Sequence, residues 1–500
     1  MVEIHRPAQE DGGSRVGGWT QIPVTGFWFA IPISAILTYH FTMASAASIA
    51  RPPGPKGNFF LGSLAELAHD WPGFCKRCAR DFGDVAFYRF LHIPICQFTH
   101  PDDIETVLVR RASSFHKSRD YSALEFVLGK GLLTNDTPSW QPQRQLIQPA
   151  FRHESIAAYS EIMANSAAAH LSRWRDQQSC DLHQEMAELT LDVVTKSLFG
   201  SKLSHDTRAI GAEVAAVMDR FFSQAALSFV IPEGLPLPKS PRLLRSRRHL
   251  NRVIFSIIRE RRSSPDRSND LLQTLLDAQD EQGARMSDVQ LRDEVMTLFL
   301  AGHETTSNAL TWTWYLLAQN PSVEQALIAE LDQVLGGRPP ALADLPRLPY
   351  AEMVIKESMR LYPPAWGIGR RAVSDVEVGG YRIPAGTNVF ILQWLTHRDP
   401  RFFPDPERFD PERWRVDPLR SGRIPRFAYF PFGGGPRVCI GAGFAMMEAT
   451  LLLATIAQRY RFTLLPNPPV VPFFSITLRP RHGLPVRIES RTGVAQRVSA

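Results

Sequence analysis

Phe432-Gly433-Gly434-Gly435-Pro436-Arg437-Val438-Cys439-Ile440-Gly441 sets one cysteine inside a glycine-rich, arginine-bearing loop, just ahead of an apolar helical run from Ala442 to Ile456. A thiolate needs its charge stabilised and its access controlled. Glycines let backbone N–H groups turn toward the sulfur, and the N-terminal end of the following helix favours an anion there. Arg437 supplies a fixed cation and Phe432 an apolar wall. A lone cysteine surrounded in this way suits a single soft metal–sulfur bond. The ordinary alternative is a buried structural cysteine beside a glycine turn.

Upstream of this loop, the longest helix signal runs from Ser287 to Gln319. Ser287 and Gln290 form a capping box, and Asn320-Pro321 closes the segment. At 1.5 Å per residue the helix spans roughly 48 Å, enough to cross a whole domain. Its middle reads Leu300-Ala301-Gly302-His303-Glu304-Thr305-Thr306. A mid-helix glycine costs about 1 kcal/mol against alanine, and a charged residue among apolar turns costs more unless it is used. Small Ala301 and Gly302 leave room for a ligand, while the Thr305 hydroxyl can bond back to the Ala301 carbonyl and loosen a turn into a groove. A carboxylate beside a hydroxyl at such a groove can relay protons. The alternative is a kinked core helix with one satisfied polar spot.

The loop pattern F-x-x-G-x-R-x-C-x-G resembles the haem-binding signature of the cytochrome P450 superfamily, with Cys439 as axial ligand of the haem iron. Ala301-Gly302-His303-Glu304-Thr305 is similar to the superfamily's oxygen-binding motif, which makes Glu304 and Thr305 the acid–alcohol pair. His303 is given no metal role, because the cysteine fills it. Glu357 and Arg360 stand three apart on a helix starting near Tyr350, so they share a face. They resemble the superfamily's E-x-x-R, joined by Arg413 of Pro411-Glu412-Arg413-Trp414, and the expected role is to brace the cysteine loop. Trp140-Gln141-Pro142-Gln143-Arg144 matches W-x-x-x-R, whose tryptophan and arginine reach a haem propionate in the superfamily. Pro142 requires that helix to start near Ser139. Arg370, chosen over Arg371 by its distance to Asp375, and Arg437 match the other propionate arginines. Ala301, Ala365, Trp366, Gly367 and Ile368 match positions that line the substrate pocket and describe an apolar cavity.

The resemblance begins at the stiff linker Pro52-Pro53-Gly54-Pro55 and runs to about residue 488. It implies one mainly helical body with small β-sheets, an α+β single haem domain over residues 52–488, with a tail at 1–51 and a polar tail at 489–500. Short apolar segments at Val376–Ile383 and Asn388–Leu392 read as strands with glycine turns. Proline-rich breaks at 231–242 and 400–411 separate helical stretches within one body.

The chain has 500 residues, 44% of them hydrophobic and 21% charged, so it can bury a large core. Its five cysteines are odd in number and sparse, against a disulfide framework. Cys75-Lys76-Arg77-Cys78 has no second pair to complete a zinc site and reads as incidental. A net charge of +6 is too small for the chain's size to imply nucleic-acid binding, but a modest basic surface can receive an acidic redox partner. Gly26 to Ser45 is about one bilayer length, weakened by Pro32, His40 and several hydroxyls. Arg51, Lys56 and Arg77 after it would keep the catalytic body cytoplasmic if it spans. It reads equally as no membrane segment at all, with Met43 a start, and less well as a cleaved signal ending at Ala44-Ser45-Ala46. The expected localisation is cytoplasmic, or membrane-associated with a cytoplasmic catalytic domain.

The resemblance implies a haem-thiolate monooxygenase using haem b (iron protoporphyrin IX). It activates O2 to hydroxylate or epoxidise a lipophilic small molecule: a fatty acid, terpenoid, carotenoid or polyketide. Thiolate electron donation favours O–O cleavage. The residues after Cys439 show no second domain, and no G-x-G-x-x-G opens a βαβ unit. Electrons are therefore expected from a separate partner, a ferredoxin with its reductase or an NADPH-dependent flavoprotein reductase, docking near the Cys439 face of a monomer. The runners-up are a haem sensor or electron carrier on the same fold, and a peroxide-using or isomerising member. Intact Glu304-Thr305 argues against the last.

Overall fold

The long helix forms as its sequence requires. In the computed structural model, which describes residues 51–200, 231, 239–264 and 270–491, it runs unbroken from Asp288 to Gln319, with the Ser287 hydroxyl accepting the Gln290 N–H at 3.2 Å. Every residue from Leu291 to Leu300 is buried, charged ones included, because neighbours pack on all sides. Its most extensive neighbour is the helix Leu182–Phe199, and Pro349–Leu361 and Ala442–Ala457 also pack on it. Trp312, fully buried, stacks on Tyr362 at 4.1 Å and donates its indole N–H to the Leu478 carbonyl at 2.9 Å. Each large apolar side chain sequestered here contributes about 1.5–3 kcal/mol.

One departure from the sequence reading sits in this helix. The Thr305 hydroxyl does bond back to the Ala301 carbonyl, at 2.6 Å, yet no turn opens. Back-bonded hydroxyls recur at Thr311 and Thr313, and the backbone absorbs all of them as regular α-helix. Gly302 also has a different use from the one expected. A Cβ there would lie 3.0 Å from the Val194 side chain, so this glycine lets two helices approach, while Ala301 alone of the pair is exposed.

A five-stranded sheet packs beside the helices. Its strand order is Val85–Phe90, Ile93–Phe98, Asn388–Ile391, Ile368–Ala372, Phe115–Lys117, with only the Ile93–Phe98 and Asn388–Ile391 pair parallel. The expected strand at Val376–Ile383 is a hairpin, Val376–Val378 against Tyr381–Ile383, turning through Gly379 and Gly380 at positive φ. Two smaller sheets join Ser179–Asp181, Tyr460–Leu464 and Pro485–Ser490, and Pro472–Phe474 with Leu478–Pro480. The result is mainly α with small sheets, as the sequence implied.

Cys75 and Cys78 lie buried in the helix Leu64–Phe82, where burial raises both thiols, that of Cys78 to about 12. No metal-holding cluster of His, Cys, Asp or Glu occurs among the described residues. Among those residues, too, no helix is long and apolar enough to cross a membrane. The Gly26–Ser45 segment, both terminal tails apart from residues 51 and 489–491, and most of the 231–242 break lie outside the described residues.

Candidate active site

The cysteine loop is shaped by backbone approaches that only glycine permits. Gly435 has φ +67°, and a Cβ on it would fall 1.8 Å from the Leu108 carbonyl oxygen. The Cys439 N–H donates to the Phe432 carbonyl at 2.9 Å, closing the loop, and the helix Ala442–Ala457 starts three residues later. Cys439 is solvent-accessible yet surrounded by protein mass on most sides. Burial pushes its thiol up, while the Gly441 N–H and the Arg144 guanidinium pull it back toward the thiolate.

Beside the loop, cations crowd together. The helix Trp140–Ile147 begins where Pro142 demands, with Ser139 at its N-cap position. Arg437 lies over the Trp140 ring at 4.3 Å and Arg144 at 5.8 Å, and Arg144 donates to the Val438 carbonyl at 2.8 Å. Arg370 is buried on the strand Ile368–Ala372, registered against Lys117. Burial, then the neighbouring Arg370 and Arg144, push Arg437 down to about 10, although Asp136 pulls the other way through a 2.6 Å ion pair. Burial, then Arg370 and Arg437, hold Lys117 well below its ordinary value. The nearby carboxylates are Asp136 and Asp120, and burial raises Asp120. A site this rich in buried cations suits further negative charge, as the two propionates of a haem supply.

The spacing to Asp375 that favoured Arg370 over Arg371 has no counterpart in space. Asp375 is exposed and pairs with Arg382 and the Ala385 N–H. Strand alternation does the sorting instead: Arg370 points inward, and Arg371 is half-buried. Lys117 and Asp136 were not singled out: strand pairing far along the chain brings Lys117 beside Arg370, and Asp136, in the loop before Trp140, is held by the Lys117 N–H and Arg437.

The expected brace is assembled and deeper than an ordinary helix-surface pair. Glu357 and Arg360 are both fully buried, joined by two hydrogen bonds of 2.9 Å. Arg413 approaches Glu357 at 3.4 Å, and the Trp414 indole and the Asp410 N–H donate to the same carboxylate, each at 3.0 Å. Arg360 also donates to the carbonyls of His397, Pro406 and Arg408. His397 then accepts the Phe430 N–H at 2.9 Å, and Gln393 donates to the Phe430 carbonyl at 3.0 Å. A line of contacts through Arg360 and His397 thus runs from Glu357 to Phe430, two residues before the cysteine loop. His397 and Gln393 carried no local signal.

On the long helix, Glu304 is buried and accepts the Thr477 hydroxyl at 2.6 Å, while Thr305 is half-buried. The His303 ring turns to the Ala187 carbonyl at 3.1 Å, and burial lowers it to about 4, consistent with a packing role. Ala365, Trp366, Gly367 and Ile368 are half-buried, and Ile368 approaches Gly433 of the cysteine loop. Trp366 packs edge-on against Trp71 and Phe474. Glu448, nine residues beyond Cys439, was not singled out in the sequence. Neither of its oxygens has a hydrogen-bond partner, and burial raises its carboxyl to about 8 against a smaller opposing pull from the Thr306 hydroxyl.

Comparison with known proteins agrees with this arrangement. The family model for cytochrome P450 matches residues 52–484. The chain is 39% identical to cyclooctatin synthase of Streptomyces melanosporofaciens, over 81% of this chain and 88% of that protein. It is 36% identical to cyclooctat-9-en-7-ol 5-monooxygenase of the same organism, over 74% and 80% of the two chains. It is 33% identical to pentalenene oxygenase of Streptomyces avermitilis, over 79% and 87%. With a matching family model, a mainly helical fold and relatives of this kind over most of its length, the chain belongs to the cytochrome P450 family and is a haem-thiolate monooxygenase acting with O2 on a lipophilic substrate, with electrons from a redox partner.

Proposed function

We propose that this chain holds haem b through Cys439 and hydroxylates or epoxidises a terpenoid, either a cyclic hydrocarbon or its monoalcohol. The observation that carries the substrate class is the match, over 74% and 79% of the chain, to proteins named for cyclooctat-9-en-7-ol and pentalenene oxidation. The apolar side chains Ala301, Ala365, Trp366 and Ile368, taken here as the pocket walls, suit it, since a hydrocarbon skeleton is held by shape and burial. Bound haem-thiolate supplies O2 binding, reduction and O–O cleavage.

The chain's own residues do the rest. Cys439 binds the iron with its thiolate favoured by the Gly441 N–H and Arg144. Trp140, Arg144, Arg370 and Arg437 hold the propionates, and Phe432 walls the sulfur. Glu304 and Thr305 deliver protons from the helix side, with Thr305 held by the Ala301 carbonyl. Electrons come from a separate ferredoxin system or flavoprotein reductase at the Cys439 face, and the catalytic body works in the cytoplasm.

The test is turnover under 18O2 with a ferredoxin, its reductase, NADPH and either pentalenene or cyclooctat-9-en-7-ol. Mass spectrometry should find a product carrying one labelled oxygen. A protein with intact haem that oxidises no member of a terpenoid panel overturns the substrate class.

A further inference from the structure

Three hydrogen bonds beside Glu304 form a line that the chemistry above does not use. His183 Nε2 meets Asn308 Oδ1 at 3.0 Å, Asn308 Nδ2 meets Thr477 Oγ1 at 3.0 Å, and Thr477 Oγ1 meets Glu304 Oε1 at 2.6 Å. Donor and acceptor roles are fixed by chemistry. An amide oxygen only accepts and an amide nitrogen only donates, so His183 donates to Asn308 and Asn308 to Thr477. That leaves the Thr477 proton for the carboxylate. Every donor in the line points the same way, toward Glu304. With an amide in its middle it does not pass protons, so its effect is to fix position.

The residues come from three elements. Asn308 stands one turn beyond Glu304 on the same helix face, and His183 opens the helix Leu182–Phe199. Thr477 belongs to the turn between the strands Pro472–Phe474 and Leu478–Pro480. That turn is closed by the Ser475 N–H on the Thr477 carbonyl at 3.1 Å. It is also tied to the apolar wall: the Trp366 indole donates to the Ser475 carbonyl at 2.7 Å, and the Leu478 N–H donates to the Pro364 carbonyl at 2.9 Å. The same three residues that hold Trp366 therefore hold the hydroxyl on Glu304.

We propose that Thr477 is a positioning residue for Glu304, and that the Ser475–Thr477 turn makes its hold depend on what lies against Trp366. A bulky apolar substrate pressing on Trp366 moves the turn and with it the Thr477 hydroxyl. A charge-assisted hydrogen bond weakens steeply with such a shift, which loosens the hold of Thr477 so that Glu304 can take a proton from solvent water and pass it on beside Thr305. Proton delivery is then timed to an occupied pocket. The inference rests on Glu304 being the proton-delivering acid.

Two variants separate positioning from mere packing: Thr477→Val keeps the shape and removes the hydroxyl, and Thr477→Ser restores it. Product per NADPH consumed should fall about three- to tenfold in T477V and recover in T477S. Added to Glu304→Gln, T477V should cost little more, because both act through one group. Equal losses in the parent and E304Q backgrounds, or a T477S no better than T477V, overturn the proposal.

A readout independent of turnover is the 13C-methyl NMR signal of Thr477 in haem-loaded protein. E304Q should displace it in the ligand-free state and leave it nearly unmoved once the pocket is filled. The probes are cyclooctat-9-en-7-ol and clotrimazole, an azole that ligates haem iron and fills space around it whatever the natural substrate. A response to clotrimazole alone keeps the inference and discards the terpenoid reading. An E304Q displacement that is the same with and without both probes overturns the inference itself.

Discussion

Single side chains at this site are read best by what burial does to them. Glu448 folds with its carboxyl raised from 4.5 to about 8 by desolvation, so it is protonated in the native state and ionised in the unfolded chain around neutrality. The unfolded state then binds fewer protons, and stability falls as pH rises. This contribution is complete below the unfolded value and is lost as pH climbs through the folded one. Glu448→Gln should remove that slope: between about pH 5 and 8 the variant should gain on the parent by a few kcal/mol at most, at roughly 1.4 kcal/mol per pH unit. Thermal unfolding across that range checks it, and parallel curves would contradict it. Thr305→Ala should retain haem and substrate binding but lower product per electron consumed, with the difference appearing as peroxide or water. Unchanged yield would place the relay elsewhere. At this scale the sequence was legible where chemistry is local. The proposals for Cys439, Arg437 and the Glu304-Thr305 pair rest on their spacing in the motifs. Thr477 and Lys117 carry no such signal, because their partners lie far along the chain, and Glu448 carries none, because only the packing around it shows its burial. Gly302 was visible but misread, since no sequence rule reveals that Val194 faces it.

Elements are fixed by their ends and by what they brace. The long helix was legible to within a residue because Ser287 caps it and Asn320-Pro321 stops it. The starts of Trp140–Ile147, dictated by Pro142, and of Pro349–Leu361 were legible likewise, but their ends were not. The Val376–Ile383 hairpin was half-legible: its glycines mark a turn, but so short a segment does not say on which side of them pairing occurs. The cysteine loop depends on two supports that can be removed one at a time. Arg360→Ala leaves Glu357 buried without its bidentate partner and cuts the line through His397 to Phe430. It should cost about 3–5 kcal/mol in denaturant unfolding and deplete haem in the purified protein. Gly435→Ala should deplete haem as well, because its Cβ meets the Leu108 carbonyl and its φ disfavours a side chain. Full haem content in either variant would show that the loop holds its shape without that support.

At the scale of the whole molecule, the long helix that carries Ala301 and the helix that follows Cys439 pack against each other, and the proposed haem site lies at these two elements. The family match starts at residue 52, so a chain beginning at Ala50 should fold and take up haem as the full chain does. Loss of haem in that truncated protein would mean that the first residues support the body. A separate redox partner should dock transiently, and turnover should fall as salt rises through the range where exposed charges are screened. The general class was legible because a handful of motifs report one cofactor. Substrate identity was not, since apolar walls constrain size and shape but no polar group selects a scaffold. The central claim is that Cys439 binds the iron of a haem in this body, and the reduced carbon-monoxide absorption spectrum tests it most directly. The parent protein should show the red-shifted band of thiolate-ligated haem, and Cys439→Ala should lose it. The same band persisting in the variant would contradict the account.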